Sequence, residues 1–292
     1  MKQKKIFALG FFDGVHVGHQ ALLDACCRLA AEQNCIPAAV TFDLPPGAVL
    51  QNQQPNMINT ASDRQWLLKQ YGMEEVCLLN ATPENLAMPW ASFLEHLFAH
   101  GAAGFVCGED YRFGHRGEGN CETLSAFAAE RNLTCVIVPE QTMDGAKISS
   151  TRIRALLEQG DVENANRLLG HPHLLTGTVV SGRQLGRTIG IPTANLRLPD
   201  SLLTPALGVY ACTAHVDGHA YVAVTNIGSR PTVNGHHVTV EAWLLDFEGD
   251  LYGRALTLYF HQFLRPEQKF HSLDELKAQI QKDASEAYKL LK

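Results

Sequence analysis

The chain has 292 residues, of which 46% are hydrophobic and 18% are charged, a composition typical of a globular protein with room for two domains. The formal net charge of -6 at pH 7 argues against a general nucleic-acid-binding protein. Apolar runs stay short of the ~18 residues of a membrane span, and no cysteine pair has the C-x-x-C spacing of a zinc or thiol-redox site. We therefore expect a cytoplasmic protein with free thiols and with neither nucleic acid nor membrane as a partner.

Residues 1–172 alternate between short apolar runs and helical patterns. The runs predict five strands, at Ile6–Phe12, Ile36–Phe42, Val76–Leu79, Gly104–Cys107 and Leu133–Val138. Strands separated by helices predict a parallel sheet that is covered on both faces. Ligands of such sheets bind beyond the carboxyl ends of the strands, so we expect the chemistry in the loops after Phe12, Phe42, Cys107 and Val138.

A segment rich in Gly and His joins the first predicted strand to the first helix and reads Gly10-Phe11-Phe12-Asp13-Gly14-Val15-His16-Val17-Gly18-His19. A helix N-terminus suits phosphate, because it offers free N–H groups and the positive end of the helix dipole. His16 and His19 face the same way in a first turn and can donate hydrogen bonds to phosphoryl oxygens, while Gly18 leaves room for the phosphate. One structural and one exposed histidine is the alternative. The helix end lowers a histidine pKa and a phosphate raises it, so the protonation state stays open.

Two further segments of this half carry polar residues at expected loop positions. The first, Gly108–Gly114, follows the fourth strand and contains Asp110. The second, Lys147–Arg154, opens a helix with Ser149, Ser150, Thr151, Arg152 and Arg154. Hydroxyls, N–H groups and two arginines at one helix start suit a triphosphate; a helix cap with surface arginines is the alternative.

The His-containing motif resembles the H-x-G-H signature of the nucleotidylyltransferase superfamily. With the other two segments, the first half is similar to the prokaryotic bifunctional riboflavin kinase/FAD synthetase family. The resemblance implies a Rossmann-like domain over residues 1–172 that adenylylates FMN with ATP, giving FAD and pyrophosphate. Catalysis would fall to His16 and His19. The implied nucleotide and phosphate site comprises Gly10, Phe12, Asp13, Gly14, Gly18, Asp110, Ser149, Ser150, Thr151, Arg152 and Arg154.

The attacking group of that reaction would be the FMN phosphate, which is largely dianionic at neutral pH because its second pKa is about 6. No general base is then needed, and the site must hold two anions in line. Mg²⁺, His16, His19, Arg152 and Arg154 are candidates for this task. One departure bears on the flavin contacts: the family's Thr-Phe-x-Pro-His-Pro stretch reads Thr41-Phe42-Asp43-Leu44-Pro45-Pro46 here, without the histidine.

Beyond Leu174 the pattern becomes β-rich. Two short helices, Thr151–Gln159 and Val162–Leu169, precede the change. Predicted strands follow at Gly177–Val180, Val209–Val216, Tyr221–Thr225, Val238–Leu245 and Ala255–Phe260, with a hairpin turn at Asp217-Gly218. Residues 173–292 therefore predict an antiparallel barrel or sandwich. The chain then predicts an amphipathic helix over Ser272–Lys292, with one face formed by Leu273, Leu276, Ile280, Ala284, Tyr288 and Leu291.

A glycine-rich segment, residues 182–196, lies among these strands. Its spacing is wrong for a P-loop, and Arg187 stands where the lysine would be; a glycine-rich turn is the alternative. Its run Pro192-Thr193-Ala194-Asn195 resembles the riboflavin kinase signature. Segments at 205–210, 226–232, 240–247, 250–253 and 264–270 match the same family in order, so the resemblance covers almost the whole chain.

That resemblance implies a small antiparallel β-barrel with a C-terminal helix, which phosphorylates riboflavin with ATP to give FMN and ADP. Thr193 and Asn195 would hold Mg²⁺ and the ATP phosphates, and Glu241 would be the general base. The other implied residues are Gly182, Gly186, Arg187, Gly190 and Pro192 for the nucleotide and Asn226, Arg230 and Arg265 for the flavin. A base is needed because a ribityl hydroxyl is a poor nucleophile until its proton is taken up.

Alternatives stay open at two levels. Glu241 can instead be an outward-facing strand residue whose neighbours Val240 and Ala242 face inward, and alternation alone does not decide. The whole chain can be a riboflavin kinase fused to a nucleotidylyltransferase of other specificity, or a non-catalytic flavin-binding regulator. The presence of His16, His19 and Glu241 counts against the regulator.

Overall fold

The computed structural model describes residues 3–182, 186, 190–232 and 235–292. The chain divides into two compact units, residues 1–150 and 151–292. The two short helices that the sequence analysis placed before its boundary at 172/173 thus lie in the second unit. Among the described residues, no helix combines the length and the apolar character needed to cross a membrane.

The first unit is an α/β sandwich. Its elements are β1 Lys5–Leu9, α1 Val17–Glu32, β2 Ile36–Phe42, α2 Pro46–Leu50, α3 Ala61–Gln70, β3 Glu75–Leu79, α4 Pro83–Leu86, α5 Trp90–Ala99, β4 Ala102–Gly108, α6 Cys121–Glu130, β5 Thr134–Val138, β6 Thr142–Met143 and β7 Ala146–Lys147. The five longer strands form one parallel sheet in the order β3-β2-β1-β4-β5. The predicted parallel sheet is therefore confirmed.

The hydrophobic pattern explains how helices cover this sheet. Helix α1 buries Leu22, Leu23, Cys26, Leu29 and Ala30, which are the residues that its three- and four-residue spacing places on one face. The chain runs outward from β1 to β3 and then crosses back to β4. This reversal creates a crevice beside the end of β1, which is where α/β sheets bind ligands.

The second unit is a closed barrel with helices outside it. Its elements are α7 Ser150–Glu158, α8 Val162–Leu169, β8 His173–Val180, β9 Ala194–Arg197, β10 Gly208–Val216, β11 His219–Thr232, β12 Gly235–Leu244, β13 Ala255–Arg265 and α9 Leu273–Leu291. The strands close in the order β10-β11-β12-β9-β8-β13. Neighbouring strands are antiparallel, so the predicted antiparallel barrel is confirmed.

Two local features of the barrel test the sequence patterns. Asp217 and Gly218 have φ values of 50° and 79° and join β10 to β11, as expected of a hairpin turn with two left-handed residues. The sequence analysis missed β9, a strand of four residues that pairs with β12 and β8. Its sequence Ala-Asn-Leu-Arg contains no β-branched or aromatic residue, so propensity gives no strand signal.

Helix α9 contacts β10 and β11. It buries Asp283, Ala284 and Ala287, and the two alanines join a cluster that includes Val209 and Val224. Two residues of the predicted apolar face remain exposed, Leu273 at 63% and Tyr288 at 37%, whereas Leu291 at the end of the helix packs against this cluster. The close contact in the middle of the helix is made through small side chains.

Candidate functional site

The histidine pair lies at the junction of β1 and α1. His16 is the N-cap of α1, and its Nδ1 accepts a hydrogen bond from the backbone N–H of His19 at 3.3 Å. The two rings stack with centroids 3.6 Å apart and planes 13° apart. A Cβ atom on Gly18 would lie 3.2 Å from the His16 ring, so the absence of a side chain at Gly18 lets the His16 ring lie close to the backbone. The two histidines therefore face the same way, as their spacing predicts.

The loop before the histidines has an unusual backbone. Phe12 and Val15 have φ values of 58° and 40°, a region that bulky side chains rarely adopt and that costs conformational energy. Gly14 also has a positive φ, of 82°, and a Cβ on Gly10 would lie 2.9 Å from the Phe12 ring. The fold thus holds Gly10–Val15 in a strained turn, which is typical of functional loops.

Asp13 anchors this loop. Its carboxylate accepts hydrogen bonds from the backbone N–H groups of Ile58 at 3.0 Å and Asn59 at 3.3 Å. The hydroxyl of Ser150 donates to the Asp13 carbonyl at 2.9 Å. Asp13 and Ser150 therefore link the histidine loop to two other segments of the first unit.

The structure indicates the protonation state of one histidine of the pair, His19. Burial lowers the pKa of His19 well below its ordinary value of 6.5, and the nearby His16 and Arg64 lower it further. His19 is therefore neutral near pH 7 in the absence of a bound anion. A neutral imidazole presents one N–H donor and one acceptor nitrogen to a ligand.

A cavity of about 430 Å³ opens beside the histidine loop. It lies at the carboxyl ends of the strands, and its wall includes Phe11, Phe42, Leu79, Tyr111 and Phe113. Its volume falls within the range of small-molecule sites. The loops after β1, β2 and β4 contribute to it, as expected for a parallel sheet, but the loop after Val138 does not, and Asn85 and Leu86 beyond β3 do.

The other predicted residues of the first site are spread over two loops and a helix. Asp110 is exposed and accepts a hydrogen bond from Lys147 Nζ at 2.8 Å. Ser149 is half-buried beside the start of α7. Thr151, Arg152 and Arg154 lie on α7, in the second compact unit, and their part in nucleotide binding stays a prediction.

In the second unit, strand register brings three predicted residues into one row. Glu241 on β12 pairs with Asn195 on β9 and with Asn226 on β11. Side chains of directly paired residues lie on the same face of a sheet. Val240 and Ala242, on either side of Glu241, are buried at 2% and 0% exposure. Glu241 thus points away from the barrel core, as the alternative required, and it nevertheless lines a cavity.

That cavity has a volume of about 350 Å³. Thr193, Asn226 and Glu241 supply its polar wall, and Leu276 and Ile280 of α9 supply an apolar one. Leu276 and Ile280, which belong to the predicted apolar face of α9, therefore face this cavity instead of packing on the barrel core. Pro192 and Thr193 also line a smaller adjoining cavity of about 80 Å³.

Arg265 lies in the same cavity wall and is held in place by α9. Its guanidinium contacts the buried Asp283 carboxylate through Nη2 at 2.8 Å and through Nε at 3.0 Å. Gln279 donates a further hydrogen bond to Asp283 at 2.8 Å. A bidentate, charge-assisted pair of this kind fixes the arginine geometry, and its contact with flavin stays a prediction.

In the described part of the glycine-rich segment, two glycines lie so close to other atoms that a side chain would not fit. A Cβ on Gly182 would lie 2.5 Å from the Asn195 amide, and one on Gly186 would lie 2.1 Å from the Ile191 carbonyl oxygen. Gly190 has a φ of 77°. Arg187 lies outside the described residues. The backbone of Arg230 is in β11, and its side chain lies outside what the structure describes.

Sequence reasoning missed several residues that line the two cavities. Two of them, Trp243 and Asp283, belong to the second cavity. In the first unit it missed Phe11 as a wall residue and the fully buried Arg64 beneath it. An arginine in the polar first turn of a helix carries no signal of burial, since only the fold brings the end of β2 over it.

Comparison with known proteins agrees with this geometry. Residues 1–152 match the family model for FAD synthetase, and residues 169–291 match that for riboflavin kinase. A bifunctional riboflavin kinase/FMN adenylyltransferase from Listeria monocytogenes is 37% identical over 283 residues, which is 96% of this chain and 90% of that protein. The protein of the same description from Bacillus subtilis is 35% identical and covers 97% of this chain and 92% of its own length.

A solved structure has the same fold over nearly the whole chain. It is described as a macrolide-efflux protein from Streptococcus pneumoniae, superposes with a TM-score of 0.87 at 33% identity, and covers 98% of this chain and 94% of its own. The two family models and the two relatives confirm the resemblance inferred from the motifs. The comparisons do not favour a nucleotidylyltransferase of other specificity or a non-catalytic regulator.

Proposed function

The chain belongs to the family of bifunctional riboflavin kinase/FMN adenylyltransferases, and from that premise we propose how its residues divide the two reactions. Residues 173–292 transfer the terminal phosphoryl group of ATP to riboflavin, giving FMN and ADP. Residues 1–172 transfer AMP from a second ATP to FMN, giving FAD and pyrophosphate. A cytoplasmic location is part of the proposal, and the eight free cysteines support it.

The proposal for the kinase reaction is carried by the row Asn195–Glu241–Asn226. Glu241 faces the larger cavity of the barrel, where it would accept the proton of the ribityl hydroxyl as that oxygen attacks phosphorus. The bond between this phosphorus and the bridging oxygen of ATP breaks, and ADP leaves. General-base assistance of this kind contributes about 10²–10⁴ to a rate. Asn226 and Arg265, in the same wall, would orient the flavin.

The donor set of Thr193 and Asn195 fits a hard cation. One hydroxyl and one amide oxygen are ligands of the type that Mg²⁺ prefers, and Mg²⁺ commonly completes its shell with substrate phosphates. Among the described residues no group of three or more His, Cys, Asp or Glu could hold a metal, so the ion would bind together with ATP. Bound there, it would offset the charge on the phosphates.

The proposal for adenylyl transfer is carried by the stacked pair His16 and His19 at the start of α1. An oxygen of the FMN phosphate attacks the α-phosphorus of ATP, and pyrophosphate leaves. His16, His19 and the first N–H groups of α1 would donate to the phosphoryl oxygens as negative charge develops on them. The apolar cavity lined by Phe11 and Phe42 would hold the flavin ring.

Separation of the two reactions tests the proposal. The wild-type chain receives either riboflavin or FMN with ATP and Mg²⁺, and chromatography follows FMN and FAD. Glu241→Gln should abolish FMN formation and leave FAD formation from supplied FMN intact. His16→Ala combined with His19→Ala should have the opposite effect. Loss of both reactions in either variant, with the fold retained, would contradict the assignment of separate sites.

A further inference from the structure

The first unit contains a buried cation that the reaction described above does not use. Arg64 lies in the first turn of α3 and has 0% exposure. A positive charge at this end of a helix opposes the helix dipole, and its removal from water is costly. Helix stability therefore gives no reason for an arginine at this position, and its contacts must supply one.

Those contacts join two walls of the first cavity. Arg64 Nη2 donates to the carbonyl oxygens of Phe42 and, at 3.1 Å, Asp43. The guanidinium also lies over the ring of Phe11, 4.3 Å from its centroid. Phe11 and Phe42 both line the cavity. The planar guanidinium thus holds the end of β2 and the loop after β1 in a fixed relation, which a point charge on a flexible stem could not do.

The same guanidinium acts on the histidine pair. His16, stacked on His19, and Arg64 are the two charged or titratable groups that lower the His19 pKa in addition to burial. The ring of Phe12 contacts His19 edge-on, with centroids 5.3 Å apart. Burial lowers the pKa of Arg64, while the negative charges of Asp13 and Asp43 favour its charged form.

We propose that Arg64 is a positioning residue of the adenylyl-transfer site, which shapes the flavin cavity through Phe11 and the end of β2 and places a permanent positive charge beside His19. The inference rests on the proposed function, because it takes this cavity as the binding site for FMN. It separates two tasks of one side chain: the planar shape serves flavin binding, and the charge serves the protonation state of His19.

Two substitutions divide these tasks. Arg64→Lys keeps a cation beside His19 but loses the planar contacts with Phe11 and the two carbonyls, whereas Arg64→Gln loses both. Arg28→Gln, at an exposed position on α1, is the matched control. The assays measure kcat, KM for FMN and KM for ATP of adenylyl transfer over about pH 5 to 9. Far-ultraviolet circular dichroism and thermal unfolding of the full chain report on folding, because Arg64 lies in the first unit and riboflavin phosphorylation is assigned to the second.

Both Arg64 variants should raise KM for FMN about tenfold and leave KM for ATP within about twofold of the wild type. In Arg64→Gln the pH profile of kcat/KM should also move to higher pH, because loss of the neighbouring positive charge raises the pKa of His19; in Arg64→Lys it should stay in place. A KM for FMN that is unchanged in both variants would overturn the proposal. So would a parallel rise in both KM values, or a pH profile that moves equally in both variants.

The controls separate this inference from its premise. If the wild-type chain and Arg28→Gln form no FAD from FMN, the proposed function fails. If both form FAD and the Arg64 variants behave like them, only the role of Arg64 fails. If Arg64→Gln does not fold, as shown by circular dichroism and thermal unfolding, Arg64→Lys decides through its KM for FMN alone.

Discussion

A buried histidine in the barrel should make the second unit sensitive to acid. Burial lowers the pKa of His173 from 6.5 to about 3, and His171 contributes a smaller effect. The side chain has 0% exposure, its ring contacts Phe260, and neither ring nitrogen has a hydrogen-bond partner among the described residues. An ionised imidazole is therefore strongly disfavoured in the folded state.

The direction in which stability changes with pH follows from proton binding. Since the pKa of His173 is lower in the folded state, the unfolded chain binds more protons between about pH 3 and 6.5, and stability is lost as the pH falls through 6.5. Between about pH 7.5 and pH 5 this one group should lower the free energy of unfolding by about 2 kcal/mol. His173→Leu should remove that loss and leave stability near pH 7.5 similar or slightly higher, because two unpartnered nitrogens leave the core.

Urea unfolding of the full chain at the two pH values measures the effect. Trp66→Phe and Trp90→Phe in all variants leave Trp243, in the second unit, as the sole fluorescent reporter. His219→Leu, at the exposed start of β11, is the control and should retain the wild-type pH dependence. The pKa of His261 is also lowered by burial, so the wild type and His173→Leu are compared by difference. Equal losses in these two chains would refute the reasoning.

Three further outcomes are expected. Gly186→Ala places a Cβ 2.1 Å from the Ile191 carbonyl oxygen, so the loop must move, and riboflavin phosphorylation should fall at least about tenfold while FAD formation from FMN persists. Trp243→Ala removes an aromatic wall from the barrel cavity and should raise KM for riboflavin about tenfold with little change in KM for ATP, as steady-state kinetics would show. His16→Ala removes the acceptor of the His19 N–H and one phosphate donor, so FAD formation should fall about 10²-fold, with FMN formation unchanged in the same assay.

Much of the first unit could be predicted because local and global signals agree there. Helix α1 buries the five residues that its spacing selects, and apolar β-branched runs become the central strands. The stacking of His16 on His19 follows from their separation by three residues at a helix start. The burial of Arg64 could not be predicted in this way. It depends on the packing of α3 beneath the end of β2, a contact between residues 22 positions apart that no local pattern encodes.

The second unit shows the limits of alternation as evidence. Val240 and Ala242 face the barrel core as the pattern allows, which left Glu241 looking like a surface residue. Two other facts make Glu241 a candidate for chemistry: the register that aligns it with Asn195 and Asn226, and the helix α9 that covers its outer face. Both involve elements distant in sequence. The pairing of Glu241 with Asn195 depends on the short strand β9, and the composition of β9 does not predict a strand.

The carboxylates Asp13 and Glu241 have different tasks at the two proposed sites. The difference follows from the nucleophile of each reaction. At the first site the Asp13 carboxylate accepts hydrogen bonds from Ile58 and Asn59 and so serves the shape of the loop. A phosphate nucleophile already carries its charge near neutral pH, so this site needs donors that gather two anions. A ribityl hydroxyl must lose a proton as it attacks, so the second site needs an acceptor beside it, and the barrel offers Glu241 between two amide side chains. These opposite demands are the physical reason why substitutions at His16 and Glu241 should separate the two activities within one polypeptide.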